Sequence, residues 1–294
     1  MVRIPEDRLR RLELKIVGRL DGLLGGEHLG LLPGAGTEFA ESRVYQPGED
    51  DVRHMDWSVT ARTATPHVRD LIADHELEAW ALVDLTPSMD FGTTEMPKRD
   101  LAVAALAAVG FTATRLGDRV GAYLMSSGGL RRRPARPGRA GIYALLREVQ
   151  STKIERGPIT LAEALASLDR GQRRRGLRVV ISDFLDQSDW SQPLRRMSAR
   201  HQTLAVEIID PRELELPPGG LIEMTDPETG TVQEIMLSPR VADAYNRAAA
   251  AQREQTAQTL KRLGVPHLVL RTDRDWVADI ARFALRRRRI GSRT

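Results

Sequence analysis

Apolar residues at Leu9, Leu12, Ile16, Leu20, Leu23 and Leu24 recur near the helical period, which predicts an amphipathic helix over 5–24. Such a helix docks on the rest of the chain or on a partner. Over 25–45, glycines and Pro33 dissolve the pattern into loop with short extended pieces, and an acidic turn at 47–51 precedes a predicted strand near 67–71. At Glu78 the texture changes. An apolar run over 79–84 ends abruptly in Asp84-Leu85-Thr86-Pro87-Ser88, as a buried strand feeding a polar loop does. Helices are predicted over 98–116, 142–150 and 161–168, the last announced by Pro158 and Thr160, and strands over 119–125, 177–181 and 203–209. The strand at 177–181 runs into Ser182-Asp183-Phe184, and the one at 203–209 into Asp210-Pro211. Two short runs, 221–224 and 232–236, flank Asp226-Pro227-Glu228-Thr229-Gly230 and read as a hairpin inserted at about 212–238. A helix over 243–263, a strand over 267–270 and a helix over 275–287 complete the pattern. The glycine- and arginine-rich stretch around Gly128, Gly129 and Arg139 to Gly141 reads as loop.

Strands alternating with helices in this way imply an α/β domain, a mostly parallel sheet with helices on both faces and right-handed crossovers. The expected organisation is an amphipathic helix and linker over 1–33, a small N-terminal β-containing subdomain over 34–76 packed on the main domain, the α/β domain over 77–290 and a tail over 291–294.

Composition narrows the chemistry. The 294 residues include no Cys, which excludes a disulfide scaffold, a thiolate nucleophile and cysteine-ligated metal. Aromatics at 4% argue against stacking platforms for single-stranded nucleic acid. The net charge of +4 is mild, but arginines cluster at 131–139, 173–178 and 286–289, so acidic protein, anionic lipid or nucleic acid are candidate partners beside the plain reading of solvated loops and a frayed tail. With no recognition motif, no specific nucleic acid is expected. The six histidines lack zinc-like spacing, and no Gly-x-x-x-x-Gly-Lys-Thr phosphate loop is present, so any ATP energy must come from a partner. No signal peptide is read at the N-terminus, and the apolar stretch over 101–111 falls short of the roughly 18 to 20 residues a membrane span needs. The expected location is cytoplasmic, with peripheral membrane contact left to the basic tail.

Ligands of parallel sheets bind outside the carboxyl ends of the strands, and two predicted strands deliver Asp84 and Asp183 there. In an extended loop Asp84, Thr86 and Ser88 point the same way. With Asp183 and Thr160 they make an all-oxygen set suited to magnesium, with manganese or calcium as substitutes. Each has a plainer role too: Asp84 and Thr160 as helix caps, and Ser88 as a partner of its own loop.

The segments Gly36-Thr37-Glu38-Phe39, Arg43 to Arg53, Asp56-Trp57, Thr60-Ala61-Arg62, Pro66 and Val68-Arg69, continuing through Glu76 and Glu78 to Asp84, Ser88, Met89, Phe91 and Gly92, resemble the bacterial domain-of-unknown-function 58 family. The likeness is dense over 34–92 and looser beyond. It implies a von Willebrand factor A-like (Rossmann-like) fold whose metal-ion-dependent adhesion motif is Asp-x-Ser-x-Ser with a distant Thr and Asp. Asp84, Ser88 and Asp183 match that motif, Thr86 replaces its first Ser, and Thr160 is the best match for the Thr. Such domains are usually non-enzymatic binding modules whose metal accepts a carboxylate from a protein ligand. Members of the resembled family look like companions of MoxR-type AAA+ ATPases, acting as adaptors in assembly or maturation of protein complexes. Many relatives carry N-terminal membrane segments, which are not seen here.

Before the first predicted strand of the α/β domain, Arg43, Arg53, Arg62 and Arg69 alternate with Glu49, Asp50, Asp51 and Asp56. That pattern suits a salt-bridge network with Trp57 buried as its anchor, or else a partner surface built on Arg43, Tyr45, Asp51, Arg53, Asp56, Trp57 and Arg62. Two further readings stay open: a metal-independent scaffold or adaptor, and a haloacid-dehalogenase-like phosphotransferase using Asp84. The second lacks an acid at Thr86 and an evident lysine.

Overall fold

The structure is a computed structural model that describes residues 6–23, 42–46, 52, 55–69, 78–126, 128–152, 159–216, 220–225 and 232–291. The chain divides into two compact units, residues 34–76 and the remainder.

In the larger unit six strands form one sheet: β3 (Glu78–Asp84), β4 (Arg119–Ser126), β5 (Gly129–Arg136), β6 (Leu177–Ser182), β7 (Gln202–Ile209) and β10 (His267–Arg271). Their order is β10-β7-β6-β3-β4-β5. Every pairing is parallel except β4 with β5. Counted from the first strand outwards this is the doubly wound order, with its third strand reversed at one edge, and it makes the domain von Willebrand factor A-like.

Alternation along β3 sorts the core. Ala79, Ala81 and Val83 face a cluster with α1 (Glu6–Leu23), α3 (Lys98–Arg115), α4 (Gly138–Ser151) and α8 (Trp276–Gly291). Trp80 and Leu82 face α5 (Leu161–Gly171), α6 (Ser191–Ser198) and Leu260 of α7 (Pro239–Arg262). Helices therefore cover both faces. The N-terminal helix docks on this unit, burying Ile16 and Leu20. The apolar stretch that falls short of a membrane span lies in α3, which is buried nearly all round, as a helix without a polar face must be. Among the described residues no helix is long and apolar enough to cross a membrane.

In the larger unit two elements correct the sequence reading, as α2 (Trp57–Thr63) does in the smaller one. The stretch taken as loop after Gly128 contains β5, an antiparallel edge strand rich in exposed arginine. Its register shifts between Val120 and Ala122, a bulge that accommodates Pro134. Charge, Pro and a bulge are how an edge strand avoids further pairing, and they also erase the apolar alternation a reader looks for. The eight-residue α6 was not expected either, because its short polar sequence buries only Pro193, Leu194 and Met197. The inserted hairpin is formed by β8 (Leu221–Thr225) and β9 (Val232–Met236), and its turn lies outside the described residues.

In the smaller unit β1 (Ser42–Val44) pairs antiparallel with β2 (His67–Arg69). Between them runs α2 (Trp57–Thr63), capped by Asp56, whose Oδ1 accepts the amides of Ser58 and Val59 at 3.1 Å.

Candidate functional site

Asp84 ends β3 and Asp183 follows β6 directly, two neighbouring parallel strands, so the sheet alone brings both carboxylates to one rim. Both are buried, at 2% and 1% exposure. Asp84 Oδ1 accepts the Thr86 amide at 3.0 Å and the Thr86 hydroxyl at 2.6 Å, while Oδ2 accepts the Ser182 hydroxyl at 2.6 Å. Thr86 Oγ1 lies 3.3 Å from Ser88 Oγ, and the Ser88 hydroxyl is near enough to Asp183 to favour its charged form. Four of the expected residues, Asp84, Thr86, Ser88 and Asp183, thus form one cluster. Thr160 is engaged elsewhere: it caps α5, with its hydroxyl on the Glu163 carboxylate at 3.0 Å and the Glu163 amide 3.3 Å from the same oxygen.

The decisive group was not in the sequence reading. Lys98, the first residue of α3, is fully buried and donates from Nζ to Asp183 Oδ2 at 2.7 Å and to Glu213 Oε1. Glu213 stands in a short turn after β7, reaching back to the Asp210 amide at 3.1 Å. Arg253 of α7 extends the network, with one nitrogen on the Asp183 carbonyl at 2.9 Å and on Glu207 Oε1 at 2.6 Å. Glu207 also contacts His267 Nε2 at 2.8 Å. A third strand-end carboxylate, Asp210, holds the Thr93 amide at 2.9 Å and the Thr272 hydroxyl at 3.1 Å. The available signals were a Lys98-Arg99 pair heading a helix that is apolar through most of its length, and a Glu three residues after Asp210.

Backbone geometry adds to the fixation of Asp183. Its Oδ1 accepts the Leu185 amide at 3.0 Å, and Phe184 between them adopts φ 54°, a costly conformation for a bulky side chain. Phe184 tolerates it with its ring edge-on to Trp190 at 5.3 Å, buried in the core.

The electrostatics follow from burial. Burial pushes the Asp84 carboxyl up to about 6, and the neighbouring Asp183 charge adds to that push against the hydrogen bonds from Ser182 and Thr86. Burial acts on Asp183 too, but the Lys98 ammonium and its hydrogen bond outweigh it and hold that carboxyl below the ordinary range. Lys98 is likewise kept charged, its pKa raised by Asp183 and Glu213 against the cost of burial. Burial raises Glu213, with Lys98 opposing.

The donor atoms are oxygens, as magnesium prefers, yet the set does not fit a divalent ion. Both oxygens of each aspartate already accept hydrogen bonds, and the cation position on Asp183 holds an ammonium. A second, doubly charged cation there meets repulsion in a poorly screened interior. Magnesium also keeps several waters, and the two carboxylates are closed off. Among the described residues no group of three or more His, Asp or Glu is arranged to hold a metal.

For the phosphotransfer reading, Lys98 supplies the lysine that the sequence did not reveal. The same burial closes Asp84 to a phosphate ester.

In the smaller unit, Asp51 and Arg53 lie outside the described residues, as do the side chains of Arg43 and Arg69. Trp57, expected as a buried anchor, is 67% exposed instead, because Asp56 places it at the open start of α2. Arg62 bonds the Ser58 carbonyl at 3.2 Å, and the Tyr45 amide bonds the Pro66 carbonyl at 2.9 Å.

Comparison with known proteins places these features in context. Residues 41–255 match the family model "Protein of unknown function DUF58". The uncharacterized protein Rv1480 of Mycobacterium tuberculosis is 51% identical over 285 residues, 96% of this chain and 89% of that protein. The uncharacterized protein MAV169 of Mycobacterium avium is 46% identical over 160 residues, covering 53% of this chain and 94% of that protein. Among solved structures, the conserved hypothetical protein BatB from Bacteroides thetaiotaomicron aligns with a TM-score of 0.44 at 15% identity, over 72% of this chain and 99% of that one. The SpRpn10 VWA domain aligns at 0.37 and 9% identity, over 69% and 93%.

Proposed function

The chain belongs to the DUF58 family of proteins of unknown function, and from that premise we propose that it is a non-enzymatic protein-binding adaptor whose strand-end site carries its own cation, Lys98, in place of a divalent metal. The observation that carries this reading is the Lys98 to Asp183 pair, 2.7 Å long and buried on both sides. A site closed in this way has no open coordination position for a partner's carboxylate. Its work is to hold a loop.

That loop runs from the end of β3 to the start of α3 and is tied along its length. The Leu85 amide bonds the Met125 carbonyl, Thr93 bonds Asp210, Thr94 bonds the Thr272 carbonyl, and the Lys98 amide bonds the Phe91 carbonyl. Between these ties the loop exposes Asp90 and Phe91, the latter at 39%. A fixed loop with an exposed aromatic loses little entropy on docking, which favours recognition. The partner class we infer is the MoxR-type AAA+ ATPase suggested by the family resemblance, since this chain has no phosphate loop.

Co-purification of tagged protein with a MoxR-type ATPase from the same genome tests the reading. Capture should be unchanged when EDTA replaces magnesium and ATP is omitted, and Phe91→Ala should weaken it about tenfold without altering the melting temperature. Capture that collapses on chelation alone would contradict the metal-independent site, and absence of capture under both conditions would contradict the partner.

A further inference from the structure

At the opposite, amino-terminal end of the sheet lies a recess of about 500 Å³, the size of ordinary ligand clefts. Arg119 at the start of β4, Arg132 on the edge strand, and Arg170, Arg173 and Arg174 after α5 line it, and Glu78 is the acid among its described lining residues. Arginine clusters some 40 residues apart in sequence are thereby gathered into one cleft. Several arginines elsewhere on this unit are matched with acids, as in Arg133 with Glu148, Arg139 with Glu13 and Arg200 with Asp169. Among the described residues, Arg132, Arg170, Arg173 and Arg174 make no such pair: Arg132 lies over the Trp80 ring at 5.2 Å and Arg170 reaches the Ser167 hydroxyl at 3.5 Å.

A second, independent observation is the charge beneath the cleft. Arg178 is fully buried and binds backbone carbonyls alone, those of Glu78, Leu177, Gln172 and Arg174, while its Nε has no partner. The Gln172 and Arg174 bonds also fix the segment that carries Arg173 and Arg174. A buried guanidinium with no hydrogen-bonded carboxylate, its charge offset only through space by Glu78 and Asp169, adds to the positive field of the exposed ones.

We propose that this recess is a docking site for an acidic peptide segment of a partner protein, whose carboxylates pair with the forks of Arg132, Arg173 and Arg174. Guanidinium forks match carboxylates bidentately, which gives such a segment orientation as well as affinity. Single-stranded nucleic acid is disfavoured because the one ring at the recess, Trp80, is 1% exposed and has its face covered by Arg132. A membrane surface is disfavoured because the basic groups line a concavity and no large apolar side chain projects among them. The inference extends the adaptor reading to a second surface, at the far end of the sheet from Phe91.

Fluorescence anisotropy with a short labelled poly-glutamate peptide and the full chain tests it, with a single-stranded oligonucleotide and phosphatidylserine vesicles of matched charge run alongside. The peptide should bind at low salt, and the double variant Arg173→Glu/Arg174→Glu should lose about tenfold or more of the affinity. Arg195→Glu/Arg196→Glu on α6, with the same change in net charge, should leave it within about twofold. Absence of peptide binding, equal loss in both double variants, or tighter binding to the oligonucleotide or the vesicles would each overturn the proposal. Because the probe is synthetic and the variants leave Phe91 alone, failure here is distinguishable from failure of the ATPase capture.

Discussion

Asp84 and Asp183 are both buried carboxylates, and their surroundings assign them opposite energetic roles. The Asp84 pKa is raised from 3.8 to about 6, so the stability linked to its protonated form is fully present below about pH 3.8 and lost as pH rises through about 6. Asp84→Asn is uncharged at every pH and keeps an acceptor for Thr86. It should be more stable than the native protein at pH 8 by about 1 to 3 kcal/mol, with the difference shrinking toward pH 4.5, measured by urea denaturation. Asp183 has a depressed pKa, so its contribution is present above the unfolded value and lost as acid takes pH down through the lower folded one. Asp183→Asn leaves Lys98 with only one of its two counter-charges, Glu213, and should cost about 3 to 5 kcal/mol at neutral pH. Similar losses in the two variants would contradict the assignment. Asp84 and Asp183 were visible in the sequence because a strand end followed by polar residues is a one-dimensional signal. Lys98 was not, because its partners Asp183 and Glu213 lie 85 and 115 residues away and only the sheet order brings them together.

Among the elements, the apolar strands and long helices announced themselves, and β5 did not. Its place is secured by close backbone contact, with only Leu130 and Ala135 packed against the core. A Cβ at Gly121 on β4 would lie 2.7 Å from Trp80 Cζ3 and 2.9 Å from the Ala135 amide nitrogen. One neighbour is a buried ring and the other is backbone, so neither gives way cheaply. Gly121→Ala should therefore destabilise the protein by about 1 to 3 kcal/mol, read as a lowered urea midpoint, and should loosen the β4–β5 amides in hydrogen exchange before those of β3–β6. Unchanged protection at that edge would show that β5 is held by something else. Thr160 teaches the same lesson from the other direction. Its position before a helix predicted a cap and its place in the motif predicted a ligand, and the structure gives it the capping box with Glu163.

On the scale of the whole molecule, the α/β unit offers two surfaces at opposite ends of one sheet: a fixed loop with Phe91 at the carboxyl ends of the strands, and an arginine-lined recess at the amino ends. The fold class and the strand-end location were legible because buried parallel strands and their crossover helices carry strong periodic signals. The occupant of the site was not, since an ammonium on Asp183 and a metal beside it ask the same thing of Asp84, Thr86, Ser88 and Asp183 in sequence. The two part company in their response to divalent ions. Calorimetric titration of magnesium and manganese into the native protein and into Lys98→Ala tests this most directly. Native protein should show no binding heat and the same melting temperature in EDTA and in magnesium, while Lys98→Ala should be destabilised and recover stability as a divalent ion fills the vacated charge. One-to-one binding to the native protein, abolished by Asp84→Ala, would contradict the account.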